Sequence, residues 1–114
     1  PSLGSNIRAK TAIAGLLAIV QSSAFAEAGW FDRVYIKELV VVWDGGVNVR
    51  TDPVTNYCIS RCGYGANYAS IPPSHPGLNR MTSLLTTAMV TNRRVSLYFS
   101  DNNCTIAEMR LDPP

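Results

Sequence analysis

A chain of 114 residues has room for one small domain, and 46% hydrophobic with 16% charged residues makes it globular rather than disordered. Arg8 and Lys10 account for the whole formal charge of +2, so residues 27–114 carry eight basic and eight acidic side chains. A neutral body has no footprint for a phosphate backbone, which argues against a nucleic-acid partner, and it needs no anionic membrane surface.

The first 26 residues read as a leader. Asn6-Ile7-Arg8-Ala9-Lys10 is cationic, and Thr11–Val20 is apolar but too short for a permanent membrane anchor. Gln21-Ser22-Ser23 is polar, and Ala24-Phe25-Ala26 has the small-x-small pattern of a signal-peptidase site. Pro1–Ser5, which lack an initiator Met, read as added sequence ahead of a secretory signal peptide cut after Ala26. The alternative is an ordinary buried N-terminal helix. On the first reading residues 27–114 are a single exported domain, periplasmic or secreted.

Val34–Trp43 is the first strand. Its apolar parity changes around Lys37-Glu38, from Val34 and Ile36 to Leu39, Val41 and Trp43, which marks a bulge or a stretch buried on both faces. Asp44-Gly45-Gly46 is a hairpin turn, and Val47–Arg50 a second strand with its valines inward. Val54–Ala66 is irregular. Tyr68–Ile71 is a short third strand stopped by Pro72-Pro73.

Ser74 is an N-cap candidate for a helix whose apolar face is Leu78, Met81, Leu84, Leu85, Ala88 and Met89. Asn92 suits the left-handed position after it, and Arg93 and Arg94 suit the negative end of its dipole. Val95–Phe99 and Ala107–Leu111 alternate as two more strands. The order β-β-β-α-β-β, mainly β with one helix, is that of a five-stranded OB-fold-like barrel. An α+β domain with the helix across an antiparallel sheet fits the same string.

Behind an export signal, Cys58, Cys62 and Cys104 predict one disulfide. Joining Cys104 to Cys62 or to Cys58 ties the central loop to the end of the chain, whereas Cys58–Cys62 closes a local loop only. Cys62–Cys104 is the favoured pair and Cys58–Cys104 its alternative. A zinc site from the three thiols and His75 is the sharper reading, but the spacing matches no known finger or ribbon.

Little in the chain points to catalysis. The single histidine, His75, reads as an exposed residue at the helix start, and no nucleophile or orienting carboxylate is marked as its partner. Turn chemistry accounts for Asp44 and Asp52. Gly45-Gly46 and Cys62-Gly63-Tyr64-Gly65 do not open a helix, so no phosphate loop is present and no cofactor is expected. The chain reads as a non-enzyme.

Tyr57, Tyr64 and Tyr68 cluster with Asn67 and other polar residues on the irregular segment. Rings that stack on a pyranose, beside amides that read its hydroxyls, suit a glycan. The same tyrosines serve equally to pack the loop on the barrel.

The valine-rich first hairpin and Asn56-Tyr57-Cys58-Ile59 resemble the B subunit of subtilase cytotoxin and its pertussis-like relatives. So does Met81–Met89 running through Arg94–Phe99. The chain is also similar to small exported bacterial proteins of the same design. The resemblance implies an OB-fold, homo-oligomeric rings and binding of host glycans, sialylated ones in the toxins. It transfers no sugar-contact residue, and the Pro72–Pro76 turn departs from it. A small cell-envelope structural or interaction protein with no small ligand is the competing expectation.

Overall fold

The computed structural model describes residues 28–55 and 57–114. The expected leader lies outside them. Five strands and one helix follow in chain order: β1 (Gly29–Val41), β2 (Val47–Asp52), β3 (Ala69–Ile71), α1 (Leu78–Thr91), β4 (Val95–Phe99) and β5 (Ile106–Leu111). The strands form one antiparallel sheet in the order β3-β2-β1-β4-β5.

The long strand β1 holds the two halves of this sheet together. Its first part pairs with β4 (Trp30 opposite Tyr98) and its second part with β2 (Leu39 opposite Val49). The register with β2 slips between Ile36 and Glu38, where the apolar parity changes in the sequence. A bulge there sharpens the local bend.

A second slip, between Phe31 and Val34 against β4, has its own support. Arg33 sits at φ 59°, and its N–H donates to Ser96 Oγ (3.1 Å). That hydroxyl in turn donates to the buried carboxylate of Asp112 (2.8 Å), just after β5. Burial pushes the Asp112 carboxyl up, but the hydrogen bonds from Ser96 and Arg110 outweigh it and hold it below its ordinary value. Three chain segments are thus locked by one buried relay.

The end of β1 departs from the alternation expected of it. Val41 and Trp43 face solvent, while Val42 is buried. The turn begins one residue sooner than the Asp44-Gly45-Gly46 reading: Gly45 N–H donates to Val42 C=O (2.9 Å), and Gly45 takes the left-handed conformation at φ 91°. A three-residue loop with glycine in that conformation is a standard hairpin ending. It puts Trp43 in the turn, where no opposing strand covers it.

The core gathers Val34, Ile36, Val47, Val49, Ile71, Leu97, Phe99 and Ile106 from the sheet under Met81, Leu85 and Ala88 of α1. The helix lies over β1 and β5. Leu84, expected on its inner face, is 38% exposed. At 100° per residue it lies to one side of the Met81–Leu85–Ala88 stripe.

The helix also starts differently from the expectation. Gly77, not Ser74, is its cap residue, and no side chain caps it. His75 is half-buried rather than exposed: its Nδ1 accepts the Gly77 N–H (2.8 Å), and its Nε2 faces Ala107 C=O of β5 at 2.6 Å. At the other end Asn92 takes the left-handed position (φ 55°), and Arg93 N–H reaches back to Ala88 C=O (2.9 Å), a Schellman-type stop. The arginines turn away from the dipole: Arg93 donates to Asp112 C=O, and Arg94 lies over the Tyr35 ring.

The two end strands of the sheet approach each other at one point. Ser70 N–H donates to Cys104 C=O (3.1 Å), and Ser70 and Thr105 form a single parallel bridge. No ladder continues from it, so among the described residues the sheet is open. No helix among them is long and apolar enough to cross a membrane.

Candidate functional site

Three loops meet at this approach of β3 to β5 and enclose a cleft of about 510 Å³. Such a volume is within the range usual for small-molecule sites. Trp43 and Asp44 come from the β1–β2 turn, Ile59 to Cys62 from the β2–β3 connection, and Asn103 and Thr105 from the β4–β5 loop, with Ser70 of β3 between them.

Each loop is fixed by a polar side chain. In the first, Asp44 Oδ1 accepts the Gly46 N–H (2.8 Å), which closes the turn. In the third, Asp101 accepts the N–H groups of Asn103 (2.9 Å) and Thr105 (3.2 Å) and the Thr105 hydroxyl (2.8 Å). Burial pushes the Asp101 carboxyl up, and the Thr105 and Asn103 hydrogen bonds more than reverse it.

The second loop is held by Asn48, the polar residue between the two valines of β2. Asn48 is fully buried, and its amide bonds the Arg61 main chain from both ends: Arg61 N–H to Oδ1 (2.9 Å) and Nδ2–H to Arg61 C=O (3.1 Å).

The loops are then tied to one another. Nε (3.2 Å) and Nη2 of Arg61 both donate to Asp44 Oδ2, joining the second loop to the first. The Arg61 bonds, and next the Gly46 N–H, hold the Asp44 carboxyl below its usual range. Arg61 crosses the turn over Gly46, where a Cβ would stand 2.7 Å from Arg61 Nε and 2.9 Å from Ile71 O. Only glycine leaves room for that crossing.

A disulfide between Cys58 and Cys104 joins the second loop to the third. This corrects the favoured Cys62–Cys104 pairing. Cys62 is free and exposed on a single 3-10 turn (Arg61–Gly63), with its backbone left-handed at φ 58°. Cys58, four residues earlier, lies in the core, while Cys62 stays outside it. The bond also removes the zinc reading, because two of its four ligands are spent on each other. Among the described residues no three His, Cys, Asp or Glu side chains gather as metal ligands.

The floor is therefore a fixed ion pair, and the rim is varied. Trp43 is 87% exposed and Ile59 68% exposed, and they share the lining with Asn103, Thr105 and the buried Ser70. His75, on the far side of Pro72-Pro73, is engaged with Gly77 and Ala107.

The residues expected to bind ligand lie elsewhere, and the structure brings only two of them together. Tyr64 sets its ring edge-on to Tyr68, with centroids 6.2 Å apart. Tyr68 is buried; its hydroxyl accepts from Arg50 (2.7 Å) and donates to Glu38 (3.0 Å), and the Arg50 guanidinium covers its face. Tyr57 packs on the core. Asn67 is a turn residue at φ 78°, its N–H on Cys58 C=O (3.1 Å). None of the four lines the cleft.

Trp43 was missed because parity placed it in a strand. The signal that finds it is adjacency: an aromatic directly before Asp-Gly-Gly belongs to the turn. Asn48 also had a signal, as an amide inside a strand otherwise suited to burial. Compared with known families, curated proteins and solved structures, the chain finds no match.

Proposed function

We propose that this protein is an exported, non-enzymatic recognition module whose cleft at Trp43 binds a saccharide. The observation that carries the reading is the pairing of a wholly presented indole with a rigid polar floor. An aromatic face stacks on the apolar face of a sugar ring, and fixed amide and hydroxyl groups select among its hydroxyls. Asn48, Asp101 and the Cys58–Cys104 bond hold the three loops in advance, which lowers the entropic cost of binding.

The position of the cleft supports the same reading. In OB-folds the β1–β2 and β4–β5 loops and the face of strands 2 and 3 take oligosaccharides and oligonucleotides. Trp43, Asp44, Asn103 and Thr105 belong to those two loops. The Ser70–Thr105 bridge is the first rung of the closure that an OB-like barrel requires between its third and fifth strands. Charge balance favours the sugar over the nucleic acid. A disulfide belongs to an oxidising compartment, which supports export to the periplasm or beyond. The resemblance to toxin B subunits agrees with glycan binding and adds ring-like self-association as part of the proposal.

A glycan array read against Trp43→Ala tests the site. Binding that falls at least about tenfold in this variant, and survives in Tyr57→Phe, supports a stacking role worth 1–3 kcal/mol. Equal signal in wild type and Trp43→Ala removes the cleft. A blank array leaves the competing reading, an envelope interaction protein with no small ligand.

A further inference from the structure

The nature of the floor narrows the ligand. Among the described residues Arg61 is the one cation that lines the cleft and Asp44 the one carboxylate. They are bonded to each other twice, with their side chains 32% and 20% exposed. Neither is free to turn toward a ligand, since Asn48 grips the Arg61 main chain and Gly46 N–H holds the other Asp44 oxygen. The remaining polar lining comes from Asn103 and Thr105, from Ser70 and the Ser60 hydroxyl, which are buried, and from the exposed Cys62 thiol.

Building on the saccharide reading above, we infer that the cleft selects neutral sugars and rejects those bearing a carboxylate or sulfate. An acidic sugar seated here would bring its anion beside Asp44 and find its only counter-charge already engaged. Taking Arg61 from Asp44 leaves an unpaired carboxylate behind, and keeping the pair places two anions side by side; both penalise the acidic ligand. Hydroxyls meet no such penalty. They can accept from the free guanidinium hydrogens and donate to the Asn103 and Thr105 oxygens without disturbing the pair. The expectation runs opposite to the sialylated ligands of the toxins the chain resembles.

The test uses the full chain, purified oxidised, titrated with matched oligosaccharides that differ only by a terminal sialic acid or sulfate and followed by isothermal titration calorimetry. The neutral member should bind at least about tenfold tighter than its acidic counterpart, the factor that 1.4 kcal/mol represents. Asp44→Asn keeps the shape of the turn but releases the Arg61 charge, and should shift the ranking toward the acidic sugar by a similar factor. Arg61→Met, which leaves Asp44 alone, should widen the preference for the neutral one. Tighter binding of the acidic sugar by the wild-type protein overturns the inference and leaves the saccharide reading standing. Failure of both sugars to bind overturns the two together. Should neither variant fold, the wild-type ranking alone decides.

Discussion

At Gly46 the absence of a side chain is a structural requirement, and it comes from a neighbour rather than from the glycine's own backbone. Arg61 lies across this residue to reach Asp44, and a methyl group would meet its side chain and the Ile71 carbonyl below 3 Å. Gly46→Ala should therefore cost about 1–3 kcal/mol, as overpacking does, and should loosen the ion pair at the floor of the cleft. Urea unfolding measures the first effect. Loss of saccharide binding out of proportion to the stability change measures the second. The sequence marks Gly45-Gly46 as a turn, but it gives no sign that the two glycines differ. Gly45 serves its own φ, whereas Gly46 serves a side chain 15 positions along the chain.

Elements were readable where local pattern decides them. The parity change at Lys37-Glu38 became a bulge, Asn92 became the left-handed stop of α1, and Val95, Leu97 and Phe99 point inward from β4. Expectations failed where a distant contact decides. His75 is drawn in by Ala107 of β5, which moves the helix start past Ser74. Nothing local shows either that Glu38 and Arg50 hold the Tyr68 hydroxyl. The helix face offers a check at this scale. Leu85→Ala, at a fully buried position, should destabilise the domain by about 2–5 kcal/mol, whereas Leu84→Ala should cost less than about 1 kcal/mol. Equal losses in thermal or urea unfolding would mean that α1 is rotated on the sheet.

Over the whole molecule the Cys58–Cys104 bond links residues 46 positions apart, from the irregular segment to the β4–β5 loop. In the chain-entropy model such a closure contributes about 4 kcal/mol, a large share of the stability expected of a domain this size. Cys58→Ser with Cys104→Ser, or reduction of the wild type, should lower unfolding stability by about 3–4 kcal/mol and weaken saccharide binding by loosening two of its three loops. Cys62→Ser should leave unfolding stability unchanged within about 0.5 kcal/mol, as expected of an exposed position outside the bond.

Strand β1 has a consequence during synthesis. It is made before every other strand, yet its first part waits for β4, which follows the helix, while its second part finds β2 at once through the hairpin. Half of a long ribbon, with Trp30 and Phe31 along it, thus stays without a neighbour until most of the domain has been translated. Non-local pairing of this kind is slow, and an unmatched ribbon invites a second nascent copy. Shielding of this ribbon by a chaperone at this stage should raise the yield of folded protein.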